Sequence, residues 1–155
     1  MDNNFERMLE TMKQPNPGTD GTFKWRLDSE LDWTEATTAR AELWNLSGGR
    51  KKWCVYARTG SHLTNDLFHY IFQLDYIDEN VIDKTLTLGE QGLTFTHYYS
   101  IGNPEYNVID ALSAKVSIRL DPKNNTFKGH FEATFGSNVK SPNGEFNLTS
   151  QPVGS

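Results

Sequence analysis

Leu112-Ser113-Ala114-Lys115-Val116-Ser117-Ile118-Arg119-Leu120 alternates apolar with polar residues. After Asp121-Pro122-Lys123-Asn124-Asn125 the alternation resumes in Phe127-Lys128-Gly129-His130-Phe131-Glu132-Ala133-Thr134-Phe135. Successive side chains of a strand point to opposite faces, so a period of two describes a ribbon with one dry and one wet side. The segment between the runs is turn chemistry: proline presets φ and asparagine tolerates the left-handed region. The two runs are therefore predicted to pair as an antiparallel hairpin. Ser141-Pro142-Asn143-Gly144 is a second turn, leading into a strand that carries Phe146 and Leu148.

The same period extends upstream. Phe23, Trp25 and Leu27 alternate with Lys24, Arg26 and Asp28. Between Thr37 and Leu46, Ala39, Ala41 and Leu43 fall on one side and Trp44 and Leu46 on the other, and Ser47-Gly48-Gly49 predicts a hairpin connection into Trp53–Arg58. From Leu67 to Ile77, one face carries Phe68, Tyr70, Phe72, Leu74 and Tyr76, and the other His69, Ile71, Gln73, Asp75 and Ile77. Apolar residues on both faces predict a central strand or one lining a cavity. A polar connection, Asp78 to Lys84, leads to a short strand at Thr85–Leu88. Gly89 and Gly92 frame a turn into Leu93, Phe95, His97 and Tyr99, and Gly102-Asn103-Pro104 reads as a loop near Tyr98, Tyr99 and Tyr106.

These segments define an all-β chain of about eight or nine strands, an antiparallel up-and-down barrel or a β-sandwich. Strand spacing does not choose between the two. The short connections exclude a parallel βαβ architecture. Phe5, Met8, Leu9 and Met12 have helical spacing, which predicts a short N-terminal helix ended by Pro15-Asn16-Pro17-Gly18. Residues 1–20 are thus read as helix and linker, and residues 21–155 as one antiparallel β domain. The run of strands, with an N-terminal helix and a Trp in the first strand, resembles a lipocalin-type barrel in outline. The Gly-x-Trp signature is not met, because Phe23-Lys24 precedes Trp25 and Gly21 stands four residues upstream. No functional residue is carried over from that resemblance.

Composition narrows the function classes. The 155 residues carry a formal charge of −5, which opposes binding to phosphate backbones. The one basic cluster, Arg50-Lys51-Lys52, is read as a solvated hairpin tip, and no nucleic-acid partner is expected. No apolar run reaches the roughly 18–20 residues of a membrane span, and Met1–Met12 lacks the pattern of a secretory signal. With the single Cys54 in a strand-like run, read as a buried and inert thiol, a cytoplasmic location is expected. Asn45, Asn124 and Asn147 head Asn-x-Ser/Thr triplets, read as turn and strand chemistry rather than glycan sites.

Catalytic signatures are absent: no nucleophile elbow, phosphate-cradling glycine loop, His-Glu-x-x-His or Cys/His cluster occurs. No metal or cofactor is expected. The acidic groups Asp28/Glu30/Asp32 and Asp75/Asp78/Glu79 fall in or beside loops, where solvation is the ordinary fate. His97 is placed by alternation with Phe95 and Tyr99 in the interior, and His130 on the polar face. The aromatic residues make up 12% of the chain, enough to build a core and also a ligand-contacting surface. Trp25, Trp44, Trp53, Tyr70, His97 and Tyr99 are the candidate ligand-binding residues.

Three functional readings follow. The first is a non-catalytic binding module for a small apolar or sugar-like ligand, held in an aromatic-lined cavity or on a sheet face. The second is a protein-interaction role of the inhibitor, immunity or effector type, acting through an acidic surface. The third is a small β-barrel enzyme using His97 with a carboxylate from another strand. An exposed sheet edge also offers a surface for a homodimer.

Overall fold

A computed structural model describes residues 19–28, 30–60, 65–102, 105–136 and 138–150. Eleven strands run through them: β1 (Gly21–Leu27), β2 (Thr34–Glu35), β3 (Thr38–Asn45), β4 (Lys51–Thr59), β5 (Phe68–Asp75), β6 (Ile82–Thr87), β7 (Thr94–Gly102), β8 (Glu105–Asp110), β9 (Ser113–Asp121), β10 (Thr126–Thr134) and β11 (Pro142–Thr149). They form two antiparallel sheets, one ordered β2-β1-β11-β10-β9-β6 and the other β3-β4-β5-β7-β8. The sheets are not closed into a barrel, which corrects the barrel alternative and the lipocalin-like outline: the layering is sandwich-like. The predicted N-terminal helix lies outside the described residues.

The hairpin predicted at 112–135 forms as β9 and β10, with Leu120 opposite Phe127 and Val116 opposite Phe131. Inward residues of this sheet are Phe23 and Trp25 of β1, Phe146 and Leu148 of β11, Phe127 and Phe131 of β10, and Val116, Ile118 and Leu120 of β9. They meet Ala39, Ala41, Trp53, Val55, Tyr70, Phe72, Leu74 and Phe95 from the other sheet. Rings dominate the contact: Phe131 lies 5.3 Å from Phe23 and 5.4 Å from Phe95 between centroids. Phe131 fits because its cross-strand neighbour is Gly144. A β-carbon at 144 would stand 2.7 Å from that ring and closer still to the Lys24 carbonyl.

β5 is the middle strand of the five-stranded sheet, in keeping with its two-sided apolarity. Tyr70, Phe72 and Leu74 face the inter-sheet core. Ile71 belongs to a second buried cluster on the opposite face with Trp44, Leu46, Cys54, Tyr56, Leu67 and Tyr98. Cys54 is buried and forms no disulfide.

Three local expectations change. β7 and β8 pair as a hairpin, in which Gly102 pairs with Glu105 and the register shifts between Ser100 and Gly102; Asn103 and Pro104 of the expected loop lie outside the described residues. β8 escapes the sequence because an edge strand is only half covered, so Tyr106, Asn107 and Ile109 show no clean alternation. β2 has two residues, too few to carry a period. Leu112 stands before the first residue of β9 with 74% of its surface exposed, so the apolar face of that strand starts at Ala114.

Candidate functional site

Four of the six expected site residues come together between the sheets. Trp25 of β1 packs edge-on against Tyr70 of β5 at 5.4 Å. Tyr70 stacks on His97 of β7 at 4.5 Å, and His97 stacks on Tyr99 at 4.8 Å. Phe68 and Phe135 complete the cluster against His97, at 4.5 and 5.7 Å. The other two lie elsewhere. Trp53 packs on Phe127 and Tyr76, one strand over from Leu74 rather than Tyr70. Trp44 is on the opposite face of the five-stranded sheet, where its indole N–H donates to Glu42 at 2.8 Å.

The chemistry of the interior cluster is neutral. The His97 Nδ1–H donates to the His69 carbonyl at 3.0 Å; a carbonyl only accepts, so that nitrogen carries the proton. Burial pushes the His97 pKa down to about 4, partly offset by that hydrogen bond. No carboxylate is among the groups that shift it, in contrast to the carboxylate pairing that a general-base reading requires. His69 itself faces away from the core, between the rings of Tyr56 and Tyr98. Its two ring nitrogens are buried without a hydrogen-bond partner, and burial lowers its pKa to about 3. The Tyr70 hydroxyl is likewise buried and unpaired, and burial raises its pKa, with Asp28 adding to the rise.

A different place has open volume. An open groove of about 700 Å³ lies at the end of the six-stranded sheet where β1 finishes and β9 and β11 begin, and the core-facing Ala114 and Ala133 also line it. Ser113, Lys115, Glu132 and Thr134 rise from β9 and β10, Asn143 from β11 and Thr87 from β6. Leu88 and the exposed Leu112 form an apolar rim. The wall at Asp28 is fixed by the backbone. The Asp28 N–H donates to the Ser141 carbonyl at 2.7 Å, and the Ser141 N–H donates to the Asp28 carboxylate at 2.8 Å. Asp28 holds φ at 51°, in the left-handed region where Asp is among the better-tolerated side chains.

Lys115 and Glu132 stand directly opposite each other on β9 and β10. Opposite charges in that position ordinarily pair, yet among the described residues neither forms an ion pair, and both are exposed. Ser113 and Thr134 share a 2.6 Å hydroxyl–hydroxyl bond. The Asn143 oxygen accepts from Arg26 Nε at 3.0 Å, which leaves its amide N–H groups for another acceptor. Sequence reasoning missed these residues because it weighed the apolar half of each alternating run; Lys115, Glu132 and Thr134 are the polar half of the same two strands. Among the described residues, no three His, Cys, Asp or Glu side chains are gathered so as to hold a metal ion. No helix among them is long and apolar enough to cross a membrane.

Fold and site together define an antiparallel two-sheet protein with an aromatic interior and an open groove at one end of the six-stranded sheet. Comparison with family models, with curated proteins and with solved structures finds no match to the chain.

Proposed function

We propose that the protein is a non-catalytic binding module that takes a small sugar-like ligand in the groove on the six-stranded sheet. The observation that carries this reading is the uncommitted pair Lys115 and Glu132, side by side in register in the lining of the groove. A sugar hydroxyl both donates and accepts, and its ring has one less polar face. Lys115 and the Asn143 amide supply donors, Glu132 and Asp28 supply acceptors, and Leu88 and Leu112 supply apolar contact. A few polar groups that fix orientation beside apolar surface are the usual make-up of a small-molecule site. The test is isothermal titration of the full chain with a panel of monosaccharides, repeated on Lys115→Met and Glu132→Gln. Binding weakened at least tenfold in both folded variants supports the site; no heat with any sugar removes it.

A second reading rests on the unpaired Tyr70 hydroxyl: an apolar ligand with one polar atom, held between the sheets by Trp25, Tyr70, His97 and Tyr99. A role as an inhibitor or immunity-type protein draws on the acidic charge balance and on the edge strands β6 and β8, which also offer a homodimer contact. The buried lone thiol supports a reducing, cytoplasmic setting.

A further inference from the structure

The groove is one end of a longer line of side chains. Register places Thr87 of β6 beside Lys115 of β9, Lys115 beside Glu132 of β10, Glu132 beside Asn143 of β11, and Asn143 beside Arg26 of β1. Past β1, Lys24 and Trp25 pair with Glu35 and Thr34, so Trp33 comes next to Arg26. The Arg26 guanidinium carbon lies 4.8 Å from the Trp33 ring centre and the Lys24 ammonium 4.7 Å. Trp33 keeps 42% of its surface exposed. One row of outward side chains thus crosses five strands, from β6 to β1, and ends on the accessible ring of Trp33, which stands just before β2.

Resting on the sugar-binding reading above, we propose that this row is a continuous track for a linear, uncharged oligosaccharide lying across the strands, with Trp33 as its far stacking platform. Five strands and the Trp33 position beyond them, at about 4.8 Å spacing, give a line of roughly 24 Å, the length of about four or five pyranose rings end to end. The groups along it alternate in kind: hydroxyl, ammonium, carboxylate, amide, guanidinium and indole. A chain of repeating hydroxyls and ring faces matches that order.

Charge argues against a polyanion. Two of the neighbouring cations are already compensated, Lys24 by Glu145 at 3.2 Å and Arg119 by Asp83 at 2.7 Å. The two cations of the row itself, Lys115 and Arg26, have Glu132 between them in strand order. A phosphate or uronate chain would meet that carboxylate midway, without the run of positive charge that such ligands require. The row also lacks the contiguous apolar area of a protein-docking patch, since Trp33 is its one large apolar side chain.

The experiment is calorimetric titration of the full chain with β-1,4-linked glucose, mannose and N-acetylglucosamine series running from one to six units. Affinity in one series should climb with length and level off at about four or five units. Trp33→Ala should cost the longest oligomers about tenfold while leaving the monosaccharide constant unchanged, and Trp33→Tyr should restore most of the loss. A circular dichroism spectrum matching the wild type shows that the variant is folded. Equal affinity at every length, untouched by Trp33→Ala, overturns the track and leaves the single-sugar groove standing. No binding in any series overturns both. Tighter binding of heparin or single-stranded RNA than of the neutral series also overturns the track.

Discussion

Replacing Tyr70 by Phe deletes one oxygen from the interior aromatic cluster and leaves the ring contacts with Trp25 and His97 in place. That oxygen is buried and has no hydrogen-bond partner, in a residue only 1% exposed. In the unfolded chain the same hydroxyl bonds water, so folding strips it of partners at a cost of about 1–3 kcal/mol. The substitution leaves a gap of roughly 10–15 Å³, worth about 0.3 kcal/mol at ~24 cal/mol per Å³. The relief exceeds the gap, and Tyr70→Phe is expected to stabilise the protein by about 1–2 kcal/mol. For a chain of this size, that raises the melting temperature by roughly 2–8 °C. Urea denaturation with an unchanged m-value and calorimetric melting both measure it. A variant less stable than wild type by 1 kcal/mol or more refutes the reasoning: the hydroxyl then has a bound partner, an ordered water or the polar atom of an interior ligand.

Two further outcomes follow from burial and packing. His69 and His97 are held neutral, at about 3 and about 4 against an ordinary 6.5. Below pH 6.5 the unfolded chain takes up protons that the folded chain refuses, so stability is complete above pH 6.5. It then falls with pH, by up to about 1.4 kcal/mol per unit for each histidine, until His97 titrates near 4 and His69 near 3. Urea midpoints between pH 7.5 and 5 report this, and His97→Asn should remove about one proton from the slope; an undiminished slope contradicts the burial of a neutral His97. Separately, Gly144→Ala places a methyl group against the Phe131 ring and the Lys24 carbonyl. It should destabilise by about 1–3 kcal/mol through overpacking, and a melting temperature within 1 °C of wild type would show that Phe131 has room to move.

The fold was legible wherever one face of a strand is dry. Val116, Ile118 and Leu120 against Lys115, Ser117 and Arg119 define both the strand and its inward side, because burial of every second residue leaves a pattern of period two. Residues 67–77 announced a central strand because Tyr70 and Ile71 are buried on opposite faces. Barrel and sandwich were indistinguishable, since closure depends on which edges meet and not on any single strand. β8 was missed because an edge strand half wetted on both sides loses its period. The interior partners of His97 were legible by alternation, but its bond to the His69 carbonyl was not: backbone acceptors carry no sequence signature. The groove was the least legible part. Lys115, Glu132 and Asn143 become neighbours only through pairing in register, and each reads alone as an ordinary wet residue.

The pairing of β1 with β11 governs how the chain must be assembled as it is made. β1 and β2 reach the rest of their sheet solely through β11, and Gly21 finds its partner in Leu148. At ~5–20 residues per second, the first strand waits roughly 6–25 s after synthesis before its neighbour exists. Throughout that interval Phe23 and Trp25 are apolar side chains with their sheet unfinished, and the closing contacts are among the most distant in the chain, which slows the final step. Translation halted just ahead of Pro142 would therefore cost the protein three strands rather than one, because β11 is what fastens β1 and β2 to their sheet.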